Sequence, residues 1–291
     1  MARFLFVLHH RRELAAELAE EAIQWLANAG HQAVILDSDA QATGLNRWGV
    51  HSVDNLDIDL AVSLGGDGTM LRAVDIACGR GTPVLGVNVG HLGYLTQVEP
   101  EHLRDALHRF LLGEYHVEER MTLEVEVTAH AAGDSASATL ALARCFAIND
   151  VVVEKRQSGR TVRLEAVVNG RSFLTYAVDG MIVATATGST AYNLSARGPI
   201  LSPSLKAILM TPVSPHMLFD RPMVFDPDEA LDLRVIGREE ASVVVDGRHV
   251  ATLGAGGVVS CRQSDRPAKL VLFEGRDFRQ ILKTKFGLTD R

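Results

Sequence analysis

The chain has 291 residues, of which 47% are hydrophobic and 22% are charged, and its formal net charge is −7. This acidic balance argues against broad binding of nucleic acid, which needs basic surface to replace phosphate counterions. No apolar run approaches the ~20 residues that cross a bilayer, and the N-terminal apolar stretch is too short for a signal peptide. The cysteines stand far apart without a Cys-x-x-Cys pair, so we expect no disulfide framework, no structural zinc and a cytoplasmic location.

The first part of the chain alternates short apolar runs with helical patterns, which predicts βαβ units and a parallel sheet. The first helix should bury one face and end at Gly30, a residue type common after helix ends. That face is formed by Leu14, Leu18, Ala22, Trp25 and Leu26. The predicted strands are 4–8, 33–36, 58–64 and 83–87, and the predicted helices are 13–29, 69–78 and 101–112.

Beyond Gly113 the hydrophobic period changes to two, which predicts a β-rich second domain. Strands are expected at 122–128, 145–148, 151–153, 163–168, 181–184 and 242–245, an exposed loop tip at 131–135 and a helix at 276–286. We therefore predict an α/β domain with a parallel sheet over 1–113, completed by 268–291, and a β-rich domain over 114–267.

The most informative segment is Gly65-Gly66-Asp67-Gly68-Thr69, directly after a predicted strand. Glycines let backbone N–H groups close around a polyanion, and the following helix would point its positive end at the same anion. We expect phosphate to be bound by Gly65, Gly66, Gly68, Thr69 and Arg72. Asp67 would act as a base or metal ligand. The alternative is a structural turn in which Asp67 or Thr69 caps the helix.

A second loop, Asp179 to Ser195, carries a strand into a cluster of hydroxyl side chains. Some of these hydroxyls are expected only to cap a helix. Asn149-Asp150 places an amide beside a carboxylate, which suits the vicinal hydroxyls of a ribose, although Asn-Asp alone is more often a turn. The chain has neither the Gly-x-x-x-x-Gly-Lys-[Ser/Thr] nor the Gly-x-Gly-x-x-Gly fingerprint, so any nucleotide must be held in another way.

The ordered series of motifs resembles the NAD kinases, a family that phosphorylates the 2′-hydroxyl of the adenosine ribose of NAD to give NADP. The first motif alone also occurs in phosphofructokinases and in diacylglycerol and sphingosine kinases, but the whole series is specific. It comprises Gly65 to Thr69, Gly86 to Leu95, Asn149-Asp150, Asp179 to Ser195, Thr211 to His216, and Val245-Asp246-Gly247.

The resemblance implies the two-domain NAD kinase architecture, with Asp67 as the catalytic proton acceptor. The implied donor is ATP or polyphosphate, with a divalent metal, Mg²⁺, carried by ATP and no metal site of the protein's own. The implied NAD-binding residues are Asp67, Gly68, Asn149, Asp150, Arg160, Ala177, Asp179, Thr190, Ala191, Tyr192, Asn193, Leu194, Ser195 and Arg248.

The sequence departs from the family pattern at three positions. Ala186 replaces the usual proline of Thr-Pro-Thr-Gly-Ser-Thr-Ala-Tyr, Arg197 interrupts Ser-Ala-Gly-Gly-Pro, and Arg248 stands where glutamine often follows Asp-Gly. The departures leave open the stiffness of the loop and, at Ala177, the choice between NAD and NADH. Alternatives to an NAD kinase are a lipid kinase that shares the diglycine-aspartate loop and a nucleotide sensor without catalysis.

The β-rich half has few helices to cover a second sheet face, so we expect a homodimer or a homotetramer of dimers. The other expected partners are NAD and the phosphoryl donor, with no nucleic acid and no membrane.

Overall fold

The computed structural model describes residues 1–90, 93–130, 139–273 and 277–288. The predicted loop tip at 131–135 lies outside the described residues, as do His91 and Leu92 of the resemblance series. The chain forms two compact units, Met1–Glu119 with Ala268–Arg291, and Arg120–Pro267. No helix among the described residues combines the length and apolar character that a bilayer span requires.

The first unit contains the predicted parallel sheet. Its strand order is β3-β2-β1-β4-β5-β19-β6, and the pairs from β3 to β19 run parallel. The strands are β1 (Arg3–Leu8), β2 (Gln32–Leu36), β3 (Gly49–Val50), β4 (Leu60–Gly65), β5 (Val84–Asn88), β6 (His116–Arg120) and β19 (Ala268–Leu272). The helices are α1 (Glu13–Asn28), α2 (Asp37–Thr43), α3 (Asp67–Cys78), α4 (Leu103–Leu112) and α6 (Phe278–Phe286). Apolar side chains of β1, β4 and β5 pack against α1 and α4 to form the core.

The second unit is a sandwich of two antiparallel sheets, as the period-two pattern predicts. One sheet has the order β11-β10-β15-β18-β7-β8 and the other β14-β13-β12-β9-β16-β17. The first six strands are β7 (Leu123–His130), β8 (Thr139–Ala147), β9 (Asp150–Lys155), β10 (Val162–Val168), β11 (Arg171–Val178) and β12 (Gly180–Ala184). They are followed by β13 (Ile208–Val213), β14 (Met223–Phe225), β15 (Leu231–Val235), β16 (Ala241–Val245), β17 (Arg248–Leu253) and β18 (Val258–Gln263). The short helix α5 (Tyr192–Ser195) follows a 3₁₀ turn at Thr187–Thr190.

The predicted buried face of the first helix is partly wrong. Leu14 is 45% exposed, and the residues that α1 buries are Ala15, Ala19, Ala22, Ile23 and Leu26. Leu18 and Trp25 are half-buried and pack against the core as predicted, and Leu14 lies with them beside Pro100 and Leu103. Small alanines let the rest of the helix lie close to the sheet. The end of the helix is as predicted, with Gly30 at a φ of 80°.

In the first unit one helix start differs from the prediction, and one helix was not predicted. The helix after the diglycine loop begins at Asp67, not Thr69, so the acidic side chain lies in its first turn. Helix α2 has the sequence Asp-Ser-Asp-Ala-Gln-Ala-Thr, which lacks the apolar periodicity that marks a helix in sequence.

Candidate functional site

Asp67 lies where β4 passes into α3, at the carboxyl edge of the parallel sheet. Its Oδ2 accepts a hydrogen bond from the backbone N–H of Tyr94 at 2.8 Å, and its Oδ1 accepts one from Leu95 at 2.9 Å. Both donors follow the adjacent strand β5. Ligands of open α/β sheets bind outside this edge, so the carboxylate is held in the region where substrate chemistry is expected.

The surroundings of Asp67 favour a functional over a capping role. Among the described residues its carboxylate accepts the N–H groups of Tyr94 and Leu95, which belong to another segment and not to the first turn of its own helix. The N-cap residue is Gly66, which has no side chain to cap the helix. A Cβ atom at Gly93 would collide with Asp67 Oδ1. Gly93 therefore allows the neighbouring loop to approach closely enough for its backbone to bind the carboxylate.

The predicted phosphate-binding residues lie together in the first unit. Gly66 and Gly68 have open space where a Cβ would stand, and Thr69 is buried in the first turn of α3. Gly65 ends β4, and Arg72 follows one helical turn after Gly68. The cavity at this place has a volume of about 560 Å³ and is lined by His9, His10, Arg11, Arg12, Gly66, Gly68, Thr69 and Arg72.

The His9-His10-Arg11-Arg12 segment was not identified from the sequence as part of this site. A signal existed, because the segment directly follows β1 and must lie at the same carboxyl edge as the diglycine loop. Burial, then the charge of Arg12, lowers the pKa of His9. The cavity thus disfavours the charged form of His9, and the guanidinium groups of Arg11, Arg12 and Arg72 contribute positive charge to it.

The second unit holds Asn149 and Asp150 on a carboxylate from a distant part of the chain. Asp246 Oδ1 accepts the backbone N–H groups of Asn149 at 2.9 Å and Asp150 at 3.0 Å, and its Oδ2 accepts that of Ile148 at 2.9 Å. The Asp246 N–H donates in return to the carbonyl of Asp150 at 3.0 Å. This turn is fixed before any ligand binds.

The side chain of Asp150 has an unusual protonation equilibrium. The residue is 5% exposed, and burial, then the neighbouring charge of Asp246, raises the pKa of Asp150 to about 7. The backbone N–H of Tyr192 donates to the carboxylate and opposes the shift. Burial raises the pKa of Asp246 as well, against the effect of its three backbone hydrogen bonds and of Arg248. A carboxyl group poised near neutrality marks a candidate binding or catalytic site.

The hydroxyl loop packs directly on this turn. Thr185 donates through Oγ1 to the carbonyl of Ile148 at 2.5 Å, and its N–H donates to the carbonyl of Asn149 at 2.9 Å. A Cβ at Gly188 would collide with the backbone of Asn149. Only glycine permits this approach, which brings the start of α5 beside Asp150.

Residues 190–195 divide into structural and accessible members. Asn193 is fully buried, donates to the carbonyls of Ser189 at 3.0 Å and Pro199 at 3.1 Å, and accepts from Thr211 at 2.6 Å. Its side chain thus supports the loop. Tyr192 is 40% exposed, and burial, then Glu154, raises the pKa of its phenol, which stays a donor at neutral pH. Thr190, Ala191 and Leu194 are half-buried and Ser195 is exposed.

Asp179 ends the turn between β11 and β12, close to the same cluster. It pairs with Lys155, whose Nζ lies 2.6 Å from Asp179 Oδ1, and its charge also acts on the Tyr192 phenol. Ala177 is half-buried two residues earlier, and its carbonyl accepts the N–H of His216 at 2.8 Å. Asp150, Asp179 and Tyr192 therefore belong to one neighbourhood.

The two predicted arginines have different positions. Arg160 lies in an exposed turn and pairs with Glu239 at 2.5 Å, beside a cavity of about 640 Å³ that Arg163 and Arg238 also line. The structure thus does not bring Arg160 together with Asp150. Arg248 is exposed at the start of β17, and its charge reaches Asp246.

Two departures from the family pattern, Ala186 and Arg197, can be understood from their backbone conformations. Ala186 has a φ of −61°, the value that proline would impose, so the loop keeps the same backbone shape without it. Arg197 has a φ of 63°, a left-handed conformation that favours glycine. The usual glycine at that position is therefore explained, and Arg197 is strained.

Over the described ranges, no three His, Cys, Asp or Glu side chains gather in a way that could hold a metal ion. Asp67 offers one carboxylate, and both of its oxygens already accept backbone N–H groups.

Comparisons with known proteins agree with this architecture. The ATP-NAD kinase N-terminal domain model matches residues 4–115, and the ATP-NAD kinase C-terminal domain model matches residues 148–273. An NAD kinase of Heliobacterium modesticaldum is 44% identical over 229 residues, covering 78% of each chain. An NAD kinase of Syntrophotalea carbinolica is 35% identical over 280 residues, covering 95% of each.

A solved structure shows the same fold. The yeast NADH kinase, crystallised with NADH, superposes with a TM-score of 0.85 at 22% identity, covering 100% of this chain and 89% of its own. The sequence matches extend over both halves of the chain, and the chain belongs to the ATP-NAD kinase family of phosphotransferases.

Proposed function

We propose that this protein transfers the γ-phosphoryl group of ATP to the 2′-hydroxyl of the adenosine ribose of NAD, giving NADP and ADP. The observation that carries the chemistry is the Asp67 carboxylate, held by the N–H groups of Tyr94 and Leu95 instead of capping its helix. The family match supports the identity of the substrates. Inorganic polyphosphate is the alternative donor.

In this proposal the 2′-oxygen of the ribose forms a bond to the γ-phosphorus of ATP, and the bond between that phosphorus and the ADP oxygen breaks. The Asp67 carboxylate accepts the proton of the 2′-hydroxyl, and ADP leaves. The two backbone bonds fix the carboxylate in orientation, and positioning is a large part of phosphoryl-transfer catalysis. The cavity beside it would hold the phosphates of the donor, with Arg11, Arg12 and Arg72 compensating their charge.

The second unit would bind the dinucleotide. Asn149 and Asp150 hydrogen-bond ribose hydroxyls, Tyr192 stacks on a base, and Asp179 with its Lys155 partner contributes polar contacts at the same place. The rigid turn on Asp246 supports this assignment, because a preorganised site loses less entropy on binding. Ala177 lies where the choice between NAD and NADH would be made, and the assay described below compares the two substrates.

Mg²⁺ would enter with ATP, held by the nucleotide's own phosphate oxygens. The cation would spread the charge of the transferred group. A cation carried by ATP is compatible with the contacts of Asp67, whose two carboxylate oxygens accept the backbone N–H groups of Tyr94 and Leu95.

The assembly and location follow as proposals. We propose a homodimer or homotetramer formed through the second unit, where Phe173, Leu218, Phe219 and Val224 are exposed apolar side chains. Light scattering at assay concentration tests this, and a monomeric mass with full activity would contradict it. We also propose a cytoplasmic location, which fits three free cysteines and a reducing compartment.

The deciding experiment incubates the purified protein with NAD, ATP and Mg²⁺ and couples product to an NADP-specific dehydrogenase. Continuous NADP formation supports the kinase. Nucleotide binding without NADP would instead identify a sensor, and phosphorylation of diacylglycerol or sphingosine would identify the lipid kinase alternative. Replacing ATP by polyphosphate and NAD by NADH in the same assay settles the donor and acceptor.

A further inference from the structure

A buried carboxylate lies behind the basic cavity of the first unit. Asp39 is the third residue of α2, and none of its surface is exposed. Its Oδ2 accepts the backbone N–H of Leu8 at 2.8 Å, at the end of β1. Its Oδ1 lies 2.7 Å from His10 Nε2 and also accepts from the Arg72 guanidinium. One side chain therefore ties together β1, α2 and α3.

The two side chains that bind Asp39, those of Arg72 and His10, are also partly exposed in the cavity. The side chain of Arg72 is 33% exposed and that of His10 is 43% exposed, and both line the 560 Å³ cavity with Gly66, Gly68 and Thr69. Arg72 also donates to the carbonyl of Leu8 at 3.2 Å. A guanidinium carries more N–H donors than these two bonds use, so Arg72 can be fixed from behind and still bind an anion in front.

Stability alone is a poor explanation for this arrangement. A buried ion pair must overcome the desolvation of both charges, and apolar residues of similar volume often replace such pairs without loss. The benefit that a buried carboxylate adds is orientation, because a free arginine side chain samples many rotamers that binding would have to restrict.

We propose that Asp39 is a positioning residue that holds Arg72 and His10 in place to receive the phosphates of ATP. This inference rests on the proposed function, since it takes the cavity to be the donor site. Asp39 touches no substrate itself and acts through the two side chains that line the cavity.

Isothermal titration calorimetry with ATP tests the inference without turnover. Asp39→Asn keeps the shape but removes the charge, and we expect the Kd for ATP to rise about tenfold while the Kd for NAD changes less than twofold. The matched control is Asp54→Asn, which breaks another Asp–Arg pair of the same unit, between Asp54 and Arg80. The control should leave both affinities unchanged.

The double variant separates positioning from general damage. Arg72→Gln should weaken ATP binding. Adding Asp39→Asn should then weaken it by clearly less than the tenfold seen on the native background, because the part of the effect that passes through Arg72 is already lost and only the part through His10 remains. Multiplicative losses in the double variant, or an equal rise in the Kd for NAD after Asp39→Asn, would overturn the inference.

If Asp39→Asn fails to fold, the single variant Arg72→Lys, with Asp39 unchanged, tests the inference instead. Lysine keeps the charge but cannot bond Asp39 and the Leu8 carbonyl with the planar fork of arginine, so we expect a fivefold or greater rise in the Kd for ATP. Native affinity in this variant would overturn the inference. The proposed function is judged separately, by whether the wild-type protein makes NADP.

Discussion

Each unit contains a carboxylate that accepts backbone N–H groups, but the role of that carboxylate differs between the two units. In the first, backbone N–H groups of Tyr94 and Leu95 hold the carboxylate of Asp67, and this carboxylate is the proposed catalytic group. In the second, the carboxylate of Asp246 accepts the N–H groups of Ile148, Asn149 and Asp150, and the residues it holds are the proposed binding group. In the first unit the backbone orients the carboxylate of Asp67, whereas in the second unit the carboxylate of Asp246 orients the backbone of Asn149 and Asp150.

The difference bears on what each region can do. Asp67 is only half-buried and stands beside glycines with open space, so a reacting group can approach it. The oxygens of Asp246 also accept backbone N–H groups, but this carboxylate is buried enough to raise its pKa. Its neighbour Asp150 is nearly fully buried with a pKa of about 7. We therefore expect changes in the first region to alter turnover and changes in the second to alter NAD affinity.

The largest expected effect is that of Asp67→Asn. The substitution is nearly isosteric but removes the basic charge, so kcat should fall by about two to four orders of magnitude, the usual contribution of a general base. The coupled NADP assay measures it. Asp105→Asn, an exposed aspartate in the first turn of α4, is the matched control. Near wild-type kcat in the Asp67 variant would remove Asp67 from the mechanism.

The second region is tested by Asn149→Ala and Asp150→Ala. Each should raise the KM for NAD by about tenfold or more, since each lost hydrogen bond costs roughly 1–3 kcal/mol. The KM for ATP should change less than twofold in the same assays. A rise confined to ATP would mean that the two substrates are assigned to the wrong units.

A third prediction concerns pH. The pKa of Asp150 is raised to about 7, so its carboxylate becomes populated only as the pH rises through that value. An ionised carboxylate accepts ribose hydroxyl bonds better than a neutral acid, and the KM for NAD should fall about fivefold to tenfold from pH 6 to pH 8. Asp150→Asn should abolish this dependence; a variant that retains it would place the titrating group elsewhere.

The smallest effect should come from Arg197→Gly. Arg197 has a φ of 63°, and a left-handed conformation costs a non-glycine residue roughly 1 kcal/mol. Glycine should raise the free energy of unfolding by about 0.5–1 kcal/mol, measured by urea denaturation, with KM for NAD unchanged. Lower stability in the variant would show that contacts of the Arg197 side chain outweigh the strain.

The fold was largely predictable because both units follow simple periodicities. The apolar runs of β1, β4 and β5 and the alternation at 122–128 are local signals. The face of α1 was partly wrong, because alanine and leucine differ little in pattern but greatly in how close they let a helix pack. Helix α2 is polar throughout, and no apolar period marks it.

The site was predictable where one segment carries the chemistry. Gly65 to Thr69 is contiguous, and Asn149-Asp150 was found through the family resemblance. The contacts that support these residues were not predicted. Asp246 belongs to the motif series, but its contact with Asn149, 97 residues away, was not expected, and neither was that of Asp39 with Arg72, 33 residues away. Such contacts can be predicted only when the strand order is known, because a sheet brings together ends of strands that are distant in sequence.

The most direct measurement is the Kd for NAD of Asp67→Asn and Asp150→Ala, determined side by side by calorimetry with the wild-type protein. We predict that Asp67→Asn binds NAD within about threefold of wild type, and that Asp150→Ala loses about tenfold or more. A loss of NAD binding in Asp67→Asn, with wild-type affinity in Asp150→Ala, would contradict the division of chemistry and binding between the two regions.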